Sequence, residues 1–139
     1  MDKGQLLHLF NQKQRLLMKE LNDCLKSFDL YSSQWTILYT LHQKGKMTQT
    51  EVWQYLKVEA PTTTRTLVRM EKSGWITRKT GKDKRERVVD LTETAKKKFP
   101  QILAAIKVAE SSFLSNLSEE ELHTLEKLLG KLTIERDEA

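Results

Sequence analysis

A mainly α fold carrying one small β-hairpin is what this sequence predicts. Three observations point to it. Apolar residues recur at helical spacing over most of the chain, capping signatures punctuate it at intervals, and one stretch changes to extended-chain character around a polar turn.

The first 28 residues read as one helix, with Leu6, Phe10, Leu17, Leu21, Leu25 and Phe28 spaced by multiples of three and four. Neither glycine nor proline interrupts residues 5–28. Asp29-Leu30-Tyr31 ends it, and Ser32 or Ser33 is placed to cap a second helix running to His42. Trp35, Leu38 and Leu41 give that helix its apolar face, and Gly45 stops it. Thr48-Gln49-Thr50-Glu51 is a capping box, in which the Thr48 hydroxyl takes the amide three residues on and Glu51 reaches back. The third helix it opens is short, ending near Lys57. Pro61 then sits in the first turn of a fourth helix, where its missing N–H costs nothing. That helix runs through Lys72 and stops at Ser73-Gly74, with Gly74 suited to a left-handed C-terminal position.

Residues 75–79 and 87–91 are β-favouring runs on either side of Gly81-Lys82-Asp83-Lys84-Arg85-Glu86, which makes them a hairpin with a charged tip. Thr92 caps a fifth helix to about Asn116, within which Pro100 should introduce a kink or remove a hydrogen bond. Ser118-Glu119-Glu120-Glu121 is a second capping box, and Leu122, Leu125, Leu128, Leu129 and Leu132 line the last helix.

At 139 residues, with 38% hydrophobic and 31% charged side chains, the chain has the size of one core with room for an extension. No apolar run approaches the roughly 20 residues that span a bilayer. Met1-Asp2-Lys3-Gly4-Gln5 lacks the basic start and apolar centre of a signal peptide. Cys24 is the single cysteine, so an intrachain disulfide is excluded and a reducing compartment fits best. A cytoplasmic location without membrane association is the expectation. The formal net charge of +5 is unevenly spread. Residues 57–87 hold ten Lys/Arg against four Asp/Glu, whereas residues 110–139 hold three against eight. A basic segment this concentrated suggests a polyanionic partner, with a solvated basic surface as the plain alternative.

The order of elements favours the partner. Two short helices joined by a tight turn form a helix-turn-helix, whose second member fits a major groove about 12 Å wide. Here that second helix carries Thr62, Thr64, Arg65, Arg69 and Lys72 as polar groups, while Leu67 and Met70 pack inward. Arg65 and Arg69 lie one turn apart on one face, and arginine matches guanine O6 and N7. Short hydroxyl side chains and free amides at the helix start can bond phosphate or base edges. A helix pair alone is a weak signal; the hairpin directly after it strengthens the reading to a winged helix-turn-helix. Lys82, Lys84 and Arg85 at its tip can follow the DNA backbone or enter a narrow, A·T-rich minor groove. Asp83 is expected to pair with Arg85 and aim its guanidinium. Thr48, at the cap of the third helix, joins the candidate DNA-contacting residues.

With these residues in view, the sequence resembles the MarR family of bacterial transcriptional regulators over roughly residues 5–135. Residues 60–78, Ala-Pro-Thr-Thr-Thr-Arg-Thr-Leu-Val-Arg-Met-Glu-Lys-Ser-Gly-Trp-Ile-Thr-Arg, look like its recognition helix and the Gly-apolar-apolar-x-Arg exit. Asp83-Lys84-Arg85 matches the wing motif Asp-x-Arg, and Leu91-Thr92-Glu93 the start of the next helix. The resemblance implies a triangular homodimer whose first and last two helices intertwine. Residues 1–30 would be an N-terminal dimerisation helix, 31–92 a winged helix-turn-helix DNA-binding lobe, and 93–139 the C-terminal dimerisation helices. The partners so implied are a pseudo-palindromic double-stranded promoter or operator, a second copy of the chain, and a small aromatic or anionic effector. By the same resemblance Arg85 enters the minor groove with Asp83 as its partner. Thr62, Thr64, Arg65 and Arg69 face the major groove, and Arg78 supports the wing or contacts phosphate. Two positions depart from the family pattern. Trp53 replaces a small residue in the first helix of the motif and should alter the helix crossing, and Ala95 replaces a glycine.

Other readings remain beside this one. A sequence-nonspecific nucleic-acid binder would use the same basic surface, since phosphate neutralisation supplies affinity without specificity. Cys24 offers a redox-sensing alternative, although its place late in the first helix favours a structural thiol. His8, His42 and His123 are scattered and make no metal-ligand pattern. Trp35, Trp53 and Trp75 are candidates to line an effector pocket, core packing being the commoner role of such residues. No nucleophile–base pair or phosphate-binding glycine loop supports an enzyme, and no cofactor is implied.

Overall fold

The computed structural model describes residues 1–135, so Arg136, Asp137 and Glu138 of the acidic C-terminal run lie outside the described residues. Six helices and three short strands follow one another as α1 (Lys3–Leu25), α2 (Ser32–Lys44), β1 (Met47–Thr48), α3 (Gln49–Leu56), α4 (Ala60–Lys72), β2 (Ile76–Thr80), β3 (Arg87–Leu91), α5 (Glu93–Phe113) and α6 (Glu119–Lys131). The mainly α fold with a hairpin wing is therefore the observed one. Among the described residues no helix is long and apolar enough to cross a membrane.

Local signals account for most of the boundaries. Thr48 Oγ1 accepts the Glu51 amide and Glu51 Oε1 accepts the Thr48 amide, each at 3.1 Å. Ser118 and Glu121 repeat the exchange at 3.1 and 3.0 Å. Thr92 Oγ1 accepts the Ala95 amide at the head of α5. Gly74 takes φ +85°, and the Trp75 amide reaches back to Met70 O at 3.0 Å, closing the end of α4 as a glycine there allows.

Three boundaries and one strand differ from the sequence reading. The first helix ends at Leu25 and passes through a 3₁₀ turn (Lys26–Phe28) to Asp29, which adopts φ +56°. An aspartate tolerates that left-handed geometry, and the turn brings Leu30 into the core beside Leu25. Neither Ser32 nor Ser33 caps α2, because Ser32 is already its first residue. Gln34 Oε1 takes the Tyr31 amide at 3.0 Å and Asn22 Oδ1, from α1, takes the Ser32 amide at 2.7 Å. α5 stops at Phe113, three residues early, yet runs unbroken through Pro100, whose ring lies on the exposed side. β1 was not foreseen. Two residues carry no readable period, and this strand exists by pairing with β3.

The sheet has the order β1-β3-β2 and is antiparallel throughout. Its registers pair Met47 with Val89, and Ile76 through Thr80 with Leu91 through Arg87. Ile76, Val89 and Leu91 face the core. They join Leu25, Leu38, Val52, Leu67, Met70, Ile102 and Ile106 in one cluster that spans every helix except α6. α4 turns Thr63, Leu67 and Met70 inward, a stripe at four- and three-residue steps, which leaves its opposite face free. Leu6, Leu7, Leu9, Phe10 and Leu16 of α1, and Leu125, Leu128 and Leu129 of α6, stay outside this core and are exposed.

A Cβ added at Gly74 would meet nothing within 4 Å, so only the backbone opposes substitution there. Gly74→Ala should destabilise the fold by about 1–2 kcal/mol, read as a lower midpoint in thermal or urea unfolding. An unchanged midpoint would mean that this turn relaxes without cost.

Candidate nucleic-acid interface

α4 exposes Arg65, Arg69 and Lys72 on the side away from Leu67 and Met70, with the exposed Thr62 and Thr64 at the two edges of that face. Arg65 Nη2 reaches Thr62 Oγ1 at 3.3 Å, an exposed contact between two polar groups one turn apart. Among the described residues neither Arg65, Arg69 nor Lys72 is drawn into a salt bridge. Their charge is therefore free for a ligand. The adjacent Thr63 is buried, which separates it from the threonines on either side.

At the other end of the lobe the hairpin tip presents Lys82, Asp83, Lys84 and Arg85, every one exposed. Two backbone bonds close the loop, from the Gly81 amide to Glu86 O and from the Glu86 amide to Asp83 O, both at 3.0 Å. Asp83 does not pair with the Arg85 guanidinium as the sequence suggested. Its Oδ1 accepts the Arg85 backbone amide at 3.0 Å. A short carboxylate reaches the amide two residues ahead more readily than a distant guanidinium, so Asp83 shapes the tip and leaves the Arg85 head in solvent.

Arg78 behaves differently from the other candidates. Its side chain is only 14% exposed, with Nε and Nη2 directed at Glu71 Oε1 (3.3 and 3.2 Å) and Nη1 at Gln49 Oε1 (2.9 Å). The Arg78 amide donates to the other Glu71 oxygen at 3.2 Å. Of its two sequence-level roles, this geometry is that of a strut joining β2 to α4 and α3. Thr48 is half-buried and its oxygen serves the helix cap. Sequence reasoning missed Gln49, Thr50, Glu71 and Glu86. Thr50 Oγ1 donates to Glu86 Oε1 at 3.0 Å across a separation of 36 residues, which no local spacing announces.

Comparison with known proteins bears on this arrangement. The model of the MarR family matches residues 30–86. The uncharacterized HTH-type transcriptional regulator YwoH of Bacillus subtilis (strain 168) is 47% identical over 116 residues, 84% of this chain and 85% of that protein. The chain belongs to the MarR family. It is a transcriptional regulator, not an enzyme. A mutant MarR from E. coli, solved in complex with operator DNA, superposes with a TM-score of 0.81 at 30% identity, covering 92% of this chain and 91% of that one. Overoxidized AbfR bound to DNA gives a TM-score of 0.76 at 27% identity, covering 92% and 90%.

The other candidates of this MarR-family chain fall into place around its core. Trp35 and Trp75 are buried; Trp35 stacks on Phe99 at 5.2 Å, and the exposed His42 ring stacks on the same phenyl group at 3.9 Å. Trp53 is half-buried on α3, while its neighbour Val52 and Leu67 of α4 are still fully enclosed. His8 and His123 are exposed, and among the described residues no three His, Cys, Asp or Glu side chains gather as a metal site would need. A cleft of about 150 Å³ lies between α2 and the α3–α4 turn, lined by Ser33, Thr36, Ile37, Leu56, Val58 and Thr62 among others. A more open groove of about 460 Å³ runs along α1 past Arg15, Met18 and Asn22. No tryptophan lines either one.

Cys24 is half-buried against the core, and burial pushes its thiol above the ordinary range. A raised pKa means less thiolate at neutral pH, hence a weaker nucleophile. Alkylation of the folded protein should therefore reach half its limiting rate at a higher pH than in the urea-unfolded chain. A midpoint at or below the unfolded one would reveal an activated thiol.

Proposed function

We propose that this chain is a sequence-specific double-stranded-DNA-binding regulator that sits on a pseudo-palindromic operator as a homodimer. It acts as a repressor and is released by a small aromatic or anionic ligand. The observation that carries the DNA reading is the joint exposure, without an ion pair among the described residues, of Arg65 and Arg69 on α4 and of Lys82, Lys84 and Arg85 on the wing tip. α4 enters the major groove with Arg65 and Arg69 toward guanine edges. Thr62, Thr64 and Lys72 meet phosphates or base edges, and Thr48 a flanking phosphate. The wing follows the backbone through Lys82 and Lys84 while Arg85 enters the minor groove, where a narrow A·T tract deepens the negative potential. Asp83 and Arg78 serve by holding the tip and the root of the wing.

The homodimer is supported by what α1 and α6 leave uncovered. Ten large apolar side chains between Leu6 and Ile134 on those two helices and their flanks are at least 37% exposed, and α6 buries none of its own residues. A monomer in water would leave a patch of that kind unsatisfied, and a two-fold partner offers the complementary surface. Residues 1–30 and 93–139 thus supply the dimer and 31–92 the reading lobe, and cytoplasm is the compartment that suits a DNA-binding chain with one free thiol. The MarR and AbfR structures bound to DNA support the same partner for this relative. A nonspecific binder would share the charge but not the guanine-matched arginines on one helix face.

Fluorescence anisotropy on the duplex upstream of this chain's gene and on its scrambled counterpart, across a salt series, tests the proposal. Selectivity of about a thousandfold or more is the expected result; equal, steeply salt-dependent binding to that duplex, to its scramble and to the best site selected from a random pool would overturn it. Arg65→Ala or Arg69→Ala should cost about 1–3 kcal/mol on the operator and relax base preference, whereas Lys84→Ala should weaken all duplexes alike and lower the salt slope by about one. Wild-type selectivity in both arginine variants would remove α4 from the role of reader.

A further inference from the structure

Two adjacent residues hold the wing by both of its arms. Gln49 accepts Arg78 Nη1 from β2, and Thr50 donates to Glu86, the residue just before β3. The second contact follows from the sheet. β1 pairs Met47 with Val89 and Thr48 with Val88, which brings the first turn of α3 beside the residue that precedes β3, where Thr50 meets Glu86. The hydroxyl–carboxylate bond thus ties α3 to the wing just beyond the end of that ladder. Glu86 is also the residue whose carbonyl and amide close the tip loop onto Gly81 and Asp83.

The tip's own bonds are local: the Asp83 carboxylate and the Gly81–Glu86 closure shape the loop without tying it to the rest of the lobe. Residues 82–85 are all charged and exposed, so no apolar contact fixes their direction. A hairpin gripped at one arm can pivot about that grip, and a second grip on the opposite arm removes the pivot. The chemistry at Glu86 points the same way. A carboxylate among Lys82, Lys84, Arg85 and Arg87 opposes phosphate binding, and its bond to Thr50 is what it gives in return.

We propose that Gln49 and Thr50 are positioning residues that set the direction of the wing tip. They thereby fix the register between the minor-groove tract that Arg85 meets and the bases that α4 meets. This rests on the operator reading above and adds to it a source of specificity that touches no base. DNA shape is read where the arginine lands, so a tip held in one direction reads one position and a pivoting tip averages over several.

The test compares wild type with Thr50→Ser, Thr50→Val, Glu86→Ala and the double variant Thr50→Val/Glu86→Ala. The probes are duplexes selected by the wild-type protein from a random pool, remade with the flanking A·T tract intact, replaced by G·C, or shifted by one base pair. Wild type and Thr50→Ser should discriminate among the three. Thr50→Val, which keeps size and charge but loses the donor, should bind the intact duplex about three- to tenfold more weakly and discriminate little. Its salt slope should not move, since no cation is lost. The two single substitutions should be non-additive, because they remove one bond. Without DNA, amide exchange at Gly81 and Glu86 should accelerate in Thr50→Val while that at Val89 stays slow. Full tract discrimination by Thr50→Val, additive effects, or unchanged exchange at the tip would each overturn the proposal. Failure of the operator reading shows separately, as wild-type protein that cannot tell a selected duplex from its scramble, and would take the register role down with it.

Discussion

The contact on which the reading lobe depends is the one between Arg78 and Glu71. α4 is anchored by its inward stripe, but a β-hairpin emerging from its end has only three core side chains, Ile76, Val89 and Leu91, to hold it. Glu71 near the end of α4 takes both the guanidinium and the backbone amide of Arg78, so helix and strand are joined at three donors rather than one. An ordinary surface ion pair contributes at most about 1 kcal/mol, because water competes for both charges and two long side chains must be ordered. Here the arginine is mostly shielded, and its backbone amide holds the second carboxylate oxygen while the guanidinium holds the first. Planarity of the guanidinium then lets Nη1 serve Gln49 at the same time, which a lysine could not do from one ammonium position.

That arrangement divides the basic residues into two classes. Arg78 is charged yet spent on the protein, whereas Arg65, Arg69, Lys72, Lys82, Lys84 and Arg85 meet solvent. Sequence counting gives all of them equal weight in the positive segment. Only the fold separates the cation that holds the wing from those that can bind an anion. The same division applies to the carboxylates. Glu71, Asp83 and Glu86 lie inside the basic segment, and each is engaged by a donor within the lobe. Of these, Glu71 is neutralised by a cation, whereas Asp83 and Glu86 are held by an amide and a hydroxyl and keep their charge.

What could be read in advance and what could not follows a physical line. Thr48 with Glu51, Ser118 with Glu121, Pro61 and Gly74 are signals contained within one turn of chain, so their meaning does not wait for the tertiary fold. The face of α4 was legible for the same reason, since helical period alone puts Arg65 and Arg69 opposite Leu67 and Met70. The start of α2 was misread because its cap comes from Asn22 on another helix, and β1 was missed because a two-residue strand is defined only by its partner. Asp83 bonds the Arg85 amide and not its guanidinium for a subtler reason. Both of its options were local, and choosing between the Arg85 guanidinium and the Arg85 amide needed the turn geometry. The Thr50–Glu86 and Gln49–Arg78 bonds lay beyond reach altogether, being products of sheet register.

The lobe and the exposed apolar helices meet mechanically at α1, α2 and α5. Leu21 and Leu25 at the end of α1, and Phe99, Ile102 and Ile106 of α5, belong to the same core as Leu67 and Met70 of α4. A densely packed core transmits displacement because its side chains cannot absorb it in voids. In the proposed dimer, the angle at which two copies of α1 and α6 meet would therefore set the separation of the two α4 helices with little slack between. A ligand of such a dimer would not need to approach the proposed DNA-reading surface to change its fit. It has only to favour one angle between the helices over another, and the affinity for a site of fixed half-site spacing changes by the difference in free energy between those states.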